Sequence, residues 1–297
     1  MTSRQKDLQR IVSALEAAGN VYCSRSAGSL RVERKSGGDP VTDAERDANQ
    51  LLFEMLVDAG EGWLSEESLD NTERLECSRV WLVDPLDGTK EYISGIPEWC
   101  ISIALLEEGK LVAGGVLNPV TGELFYGSRG EGIVYRNGSA SNSETDVLLS
   151  QPPLVLGSRS EFGRGEWERF RDLPVRLQPM GSVAYKLARV AAGKADATWT
   201  LVPKHEWDVA AGAALLLAAG GYVVRSDGLA PVFNQRDPLF PGLIGFSGSR
   251  IERFRPFVEG VTRQPAFRDC LPWASVLTDY ISEAIRVRAQ LKGLSHE

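Results

Sequence analysis

Helix-like and strand-like stretches follow one another in blocks along this 297-residue chain, and that order limits the fold more than any single motif. Leu8, Ile11, Val12, Leu15 and Ala18 recur at helical spacing and predict a helix over 4–19, with Gly19 as its stop. A Gly- and Ser-rich stretch, 25–40, holds a short strand from Leu30 to Glu33. A second helix is predicted over 42–59, with Thr42 at the N-cap and Glu45 at capping-box spacing. Strand patterns follow at 79–84, at WCISIALL (99–106) and LVAGGVL (111–117) around the turn EEGK, and twice more in GELFYGSRGEGIVYRNG. After the polar run SASNSETD (139–146) come a strand in PLVLGSRS, a helix over about 182–192 and a strand over 195–201. A helix in DVAAGAALLLAAGG and a strand in YVVRSDG complete the pattern. This is not strict βαβ order. It predicts an α/β (α+β) fold of layered helices and mixed sheets, not a simple doubly wound sheet or barrel.

The length exceeds the usual domain size of roughly 100–150 residues. We expect an N-terminal subdomain over 1–146, a C-terminal subdomain over 147–250 and a helical extension over 251–297. In the extension, Trp273, Leu277, Tyr280, Ile281, Ala284, Ile285 and Leu291 share one helical stripe, with Pro272 near the first turn. That helix is expected to pack on its own domain, with a homodimer interface as the alternative.

Formal net charge is −7, which disfavours a nucleic-acid polymer as partner but admits a small anion held through a cation. No apolar run reaches 18 residues and the start, MTSRQKDLQR, is charged, so no membrane partner and a cytoplasmic location are expected. The cysteines, Cys23, Cys77, Cys100 and Cys270, form no C-x-x-C pair and read as reduced, buried thiols. His205 and His296 are the only histidines, so a His-based mechanism or a His-rich zinc site is disfavoured. Carboxylates, hydroxyls, lysines and metals remain.

Val80 to Val83 reads as a buried strand, and Pro85, which has no N–H, is expected to end its pairing. Asp84 and Asp87 then emerge from one tight loop with the Leu86 carbonyl between them. Gly88 and Thr89 follow where a helix can start, and free N–H groups there suit an anion. Hard oxygen ligands thus stand beside phosphate donors, and all-oxygen ligation favours Mg²⁺ or Mn²⁺ over zinc. Asp, Pro and Gly are also ordinary turn residues, so this segment alone fits a capped turn equally well. Glu66 and Glu67 in WLSEES, and Asp208 in HEWDVAAG, are further acids whose simpler readings are a solvated loop and a helix cap.

The combination carries more than its parts. EES, DPLDGTKEY and WDVAAG occur in this order, with PVT at 40–42, GSRS at 157–160, GS at 181–182 and GKAD at 193–196. Over about residues 5–248 the chain resembles the inositol monophosphatase-like superfamily of metal-dependent, lithium-sensitive phosphatases. The resemblance implies an αβαβα sandwich of the inositol monophosphatase and fructose-1,6-bisphosphatase type. It implies Glu66, Asp84, the Leu86 carbonyl, Asp87 and Asp208 as ligands of two or three Mg²⁺ ions, most of them from the N-terminal subdomain. Gly88 and Thr89 would hold phosphate. The Thr89 hydroxyl, Glu45 and Glu67 would serve catalysis by in-line attack of a metal-activated water, without a covalent enzyme intermediate. One departure stands out: relatives usually carry aspartate in P-V-T-x-x-D, whereas PVTDAER puts Glu45 there and Asp43 two positions earlier.

Within the superfamily, DGTKEY with Lys90 and Glu91 resembles the 3′(2′),5′-bisphosphate nucleotidases more than the inositol monophosphatases. Ser158 in GSRS points the same way. Asp87, Asp208, Gly181, Ser182 and Lys186 are also expected at the substrate, with Lys186 meeting a second phosphate, although a lysine on an amphipathic helix ordinarily faces solvent. The reaction so implied is removal of the 3′-phosphate of adenosine 3′,5′-bisphosphate to give AMP, a recycling step of sulfate assimilation. The alternatives are an inositol or sugar monophosphatase of broad specificity, and a non-catalytic relative marked by the Asp-to-Glu change.

Overall fold

The computed structural model describes residues 2–24, 32–34, 40–136 and 151–254, with positions 256, 279, 282, 283 and 286. It opens with helix α1 (Ser3–Cys23), the pair β1 (Val32–Arg34) and β2 (Pro40–Thr42), and helix α2 (Asp43–Leu56). Strands β3 (Gly62–Ser65) and β4 (Arg79–Asp87) lead to a short helix α3 (Thr89–Ile93). Strands β5 (Cys100–Glu107), β6 (Lys110–Asn118), β7 (Glu123–Ser128) and β8 (Gly132–Arg136) form a meander. The later part runs through β9 (Leu154–Ser158), α4 (Arg159–Gly163), β10 (Arg176–Met180), α5 (Val183–Ala191), β11 (Ala197–Trp199) and β12 (Lys204–His205). It ends with α6 (Glu206–Ala218), β13 (Tyr222–Arg225), β14 (Leu239–Phe240) and β15 (Leu243–Phe246).

Two sheets result. The first has the order β3-β4-β5-β6-β7-β8, antiparallel except for the parallel β3–β4 pair. The second has the order β10-β9-β11-β15-β13, with β9 parallel to both β10 and β11. Alternation along β4 explains why its sequence is apolar throughout. Trp81 and Val83 join Ile11, Leu15 and Leu52 of α1 and α2 in one core cluster. Val80 and Leu82 join Ala184 and Leu187 of α5 and Ala210, Ala211 and Ala214 of α6 in another. A sheet covered on both faces needs apolar residues of both parities. The second sheet packs Leu154, Leu156, Val223 and Leu243 onto the same α5–α6 layer. Its far face is covered by Trp167, Phe170, Ile251 and Phe254. The layers are therefore helix, sheet, helix, sheet and an outer cover of short helical turns, as the resemblance implies.

Two adjacent glycines set the spacing of the central layers. A Cβ on Gly115 would lie 2.5 Å from Ile11 Cγ2 of α1, and one on Gly114 would lie 2.9 Å from the Ala211 carbonyl of α6. Each permits a helix to sit directly on β6. The turn EEGK closes a two-residue hairpin through Glu108 (φ 49°) and Gly109 (φ 70°), as the right-handed twist of the strands favours.

Three expectations need correction. Helix α1 runs past Gly19, which is buried and faces Leu117 rather than stopping the helix. Pro85 does not end β4, which continues through it to Asp87. The thiols are not uniformly buried: Cys100 is buried, Cys77 half-buried and Cys23 exposed, and none of the three is in a disulfide. The proposed boundary at 146, Cys270, His296 and the apolar stripe of the extension lie outside the described residues. No described helix is long and apolar enough to cross a membrane.

Candidate active site

The site begins with an irregularity in β4. Asp84 pairs with Ser102 and Asp87 with Cys100, so Pro85 and Leu86 face Ile101 alone. This two-against-one step is a β-bulge. Proline is tolerated there because the bulge needs no N–H from it, so pairing resumes at Asp87 instead of stopping. Two hydrogen bonds hold the bulge. Tyr22 Oη donates to the Pro85 carbonyl at 2.8 Å, and the Leu86 N–H donates to Asp84 Oδ1 at 2.9 Å. Gly88 then turns the chain with φ 105°, a left-handed conformation open to glycine, and serves as N-cap of α3. Thr89 begins that helix. Its hydroxyl donates to Glu45 Oε1 at 3.0 Å and approaches the Leu86 carbonyl at 3.3 Å. The glutamate that replaces the usual aspartate therefore reaches Thr89 from α2, and it is buried there.

A cavity of about 250 Å³ lies over this bulge. Among its lining residues, Glu66, Asp84 and Asp208 each place a carboxylate oxygen within 4.8 Å of the others. These acids come from the β3–β4 connection, the bulge and the first turn of α6. Asp208 stands third in α6, not first as expected, and its Oδ2 also accepts the His205 N–H at 3.0 Å. It is both helix cap and site acid. Burial pushes the Asp84 carboxyl far above its ordinary range, and Glu66, Asp87 and Asp208 add to the rise. Burial likewise raises Asp208, aided by Asp87 and Glu66 and opposed by Lys204. Carboxylates crowded in this way favour either protonation or a hard cation. The all-oxygen set fits Mg²⁺ or Mn²⁺.

The other expected ligands are placed differently. Leu86 and Asp87 line the cavity but are outside the close trio. Asp87 Oδ2 accepts the Ser182 hydroxyl at 2.6 Å and the Ala184 N–H at 2.7 Å. Glu67 does not line the cavity; its N–H approaches Ser65 Oγ at 3.4 Å.

The facing wall comes from α4, the β10–α5 turn and β12. Ser158, Ser160, Gly181, Ser182, Val183, Lys186, Thr200 and Lys204 line it. Ser182 adopts φ 50°, unusual for a residue with a Cβ, while its hydroxyl caps α5 by accepting the Tyr185 N–H at 3.0 Å. Glu98 ties this wall to the first sheet, with Oε2 accepting the Gly181 N–H at 2.8 Å and Arg159 Nη2 at 2.6 Å. Lys186 is not on a solvated face: it is 2% exposed. Its Nζ donates to the Ser182 carbonyl at 2.9 Å and to those of Met180 and Gly181 at 3.4 Å. Burial lowers its pKa to about 8 against the pull of Asp87. Lys90 is exposed at the rim.

Sequence reasoning missed Lys204, Thr200, Ser160, Glu98 and Tyr22. Lys204 stands four positions before Asp208, a proximity that could have flagged it. Tyr22 is 63 residues from its partner carbonyl, and no local signal announces the pair.

The span that builds both walls also matches known proteins. A family model described as the inositol monophosphatase family matches residues 4–249. An inositol-1-monophosphatase of Mesorhizobium japonicum is 35% identical over 237 residues, covering 76% of this chain and 88% of that one. The 3′(2′),5′-bisphosphate nucleotidase CysQ of Salmonella typhimurium is 34% identical over 221 residues, covering 73% and 89%. Among solved structures, the extragenic suppressor protein suhB from Bartonella henselae superposes with a TM-score of 0.67 at 30% identity, over 85% of this chain and 98% of that one. CysQ from Bacteroides thetaiotaomicron superposes with a TM-score of 0.66 at 25% identity, over 82% and 97%. The matched span holds every acid of the cavity and stops short of the extension. From the order of its motifs, its layers and these matches, the chain belongs to the inositol monophosphatase family, whose members are Mg²⁺-dependent phosphatases.

Proposed function

We propose that this phosphatase is a 3′(2′),5′-bisphosphate nucleotidase that hydrolyses adenosine 3′,5′-bisphosphate to AMP and phosphate, a recycling step suited to sulfate assimilation. The observation that carries this reading is the two-signed cavity. Glu66, Asp84, Asp87 and Asp208 line it together with Lys90, Lys186 and Lys204. A monophosphate needs the cation-bearing side alone. A second phosphate needs positive charge of the chain's own, in a protein whose net charge is −7.

Glu66, Asp84 and Asp208, with Asp87 and the Leu86 carbonyl beside them, would hold the Mg²⁺ ions. Bound there, the cations supply acidity to water and neutralise charge on the phosphate oxygens. The remaining work belongs to the chain. Because the Thr89 hydroxyl directs its proton to Glu45, its lone pairs are left to accept a hydrogen bond from the attacking water. Glu45 thereby fixes the direction of that acceptor, which favours an active enzyme over a non-catalytic relative. The N–H groups of Gly88 and Thr89 would hold the phosphate. Ser182 and the Ala184 N–H keep Asp87 in one orientation. The oxygen of water joins phosphorus, the bond from phosphorus to the 3′ oxygen breaks, and that oxygen takes up a proton.

A second reading, an inositol or sugar monophosphatase, is favoured by the 35% identity to an inositol-1-monophosphatase, beside 34% to CysQ. Phosphate release from adenosine 3′,5′-bisphosphate and from inositol 1-phosphate, compared at saturating Mg²⁺, separates the two. We expect kcat/KM to favour the bisphosphate by at least about 10-fold, roughly 1.4 kcal/mol. Equal or reversed values overturn the nucleotidase, and turnover of neither substrate supports the non-catalytic relative.

A further inference from the structure

Among the described residues, the turn that carries Glu66 is closed from behind by a side chain outside the cavity. Ser65 Oγ donates to Asn49 Oδ1 at 2.6 Å, and Asn49 Nδ2 donates to Ser68 Oγ at 3.0 Å. One carboxamide on α2 therefore bridges the two serines that flank Glu66 and Glu67. Trp63 Nε1 donates to the same Ser68 Oγ at 3.0 Å, so the far serine is held from two directions. Asn49 lies four residues after Glu45, one helical turn along the same face of α2. Glu45 holds Thr89 at the end of the bulge, and Asn49 holds the Glu66 turn. The parallel β3–β4 pairing ends at Ser65 and Val83, and beyond it this one helix holds both acid-bearing segments, the Glu66 turn and the end of the bulge.

We propose that Asn49 is a positioning residue for the metal centre: its carboxamide holds the Ser65–Ser68 turn so that Glu66 stands at liganding distance from Asp84 and Asp208. Glu66 belongs to a turn, and a turn without such a brace samples conformations in which its carboxylate leaves the trio. The preorganisation is lost when the bridge is lost, and metal affinity falls with it. Partners of this kind, which hold ligands without touching the metal, are typically worth 10–100-fold in affinity. This inference needs only the metal centre and holds whichever phosphomonoester is the substrate.

The test is Mn²⁺ binding to the full chain, followed by electron paramagnetic resonance of the free ion, with thermal melting of the metal-free protein beside it. Asn49→Ala is expected to raise the Mn²⁺ dissociation constant by about 10-fold or more. Gln50→Ala, next on the helix and bonded to Glu54, is expected to leave it unchanged. Ser65→Ala, which breaks the bridge from the other side, is expected to weaken binding similarly. The double variant should be no weaker than Asn49→Ala alone, because that change already removes the bond to Ser65. Mn²⁺ affinity of Asn49→Ala within about 2-fold of the parent, with a lowered melting temperature, would make Asn49 a stabilising contact only and overturn the proposal. If Asn49→Ala does not fold, Ser65→Ala decides between the same two outcomes by the same measurement.

Discussion

The two walls of the cavity handle buried charge in opposite ways. On the acid wall, Asp84 and Asp208 are raised by burial and by each other's neighbourhood. On the lysine wall, Lys186 is lowered by burial, yet its donors meet the carbonyls of Met180, Gly181 and Ser182. The acids crowd together and Asp208 stays raised against the pull of Lys204, a setting that favours protonation or a hard cation. Lys186 is already compensated by the backbone, so it serves first to hold the strained Ser182 turn, and its charge reaches the cavity as a field. Two buried ionisable clusters in one pocket can thus do different jobs, and their hydrogen-bond partners tell which.

The comparison breaks most visibly at Asp84. Asp84→Asn keeps an acceptor for the Leu86 N–H but removes a charge from the trio. Turnover should fall by at least about 10³-fold, beyond what outer partners of a metal usually cost. The metal-free protein should melt at a higher temperature, because like-charge repulsion is relieved. Phosphate release and calorimetry read both; a turnover near the parent's would show that the acid wall is not the metal centre.

Next in size is a pH effect on the lysine wall. The folded pKa of Lys186, about 8, lies below the ordinary lysine value of about 10.4. Between those values the unfolded chain binds more protons, so this group makes stability rise with pH. Below the lower value the burial penalty is fully present. From pH 7.5 to 9.5 the parent should gain roughly 2 kcal/mol relative to Lys186→Met in urea unfolding. Parallel pH profiles would mean that Lys186 is as well solvated as the rim lysine.

Tyr22→Phe probes the bulge from behind the acid wall. It leaves the buried Pro85 carbonyl without its donor and should cost about 1–2 kcal/mol in unfolding free energy. Turnover should drop far less than in Asp84→Asn, since no ligand is removed. A variant as stable as the parent would show that the bulge holds itself.

The smallest effect is expected at Lys204. It lines the cavity and its charge acts on Asp208, whereas the Lys186 ammonium donates to backbone carbonyls. Lys204→Gln should raise KM for adenosine 3′,5′-bisphosphate by about 5-fold, roughly 1 kcal/mol, and leave KM for inositol 1-phosphate unchanged. Equal shifts for both substrates would remove Lys204 from second-phosphate recognition.

Much of the site was legible because its chemistry is written in short motifs. Asp84, Asp87, Gly88 and Thr89 are neighbours in sequence, and the order of EES, DPLDGTKEY and WDVAAG drew Glu66 and Asp208 to them. The layered fold was legible in the blocks of helix and strand periodicity. The ends of elements were less so. A proline lacking an N–H can end a strand or sit in a bulge, and only the pairing of β5 with Asp84 and Asp87 chose the bulge. Gly19 had the look of a stop, but its lack of a side chain serves packing on Leu117. Lys186 on an amphipathic helix suggested a solvated face, until the second sheet was laid over α5. Asn49 and Tyr22 were silent, since their partners lie 19 and 63 residues away.

By itself, then, the order of residues determined the kind of layers this chain makes, the family it belongs to and the oxygen-rich character of its site, because those depend on spacing and donor type within short stretches. Which carboxylates meet, which lysine is buried and which helix braces the Glu66 turn were decided only when the layers closed. Distance and desolvation set those properties, and both arise from segments far apart in the chain.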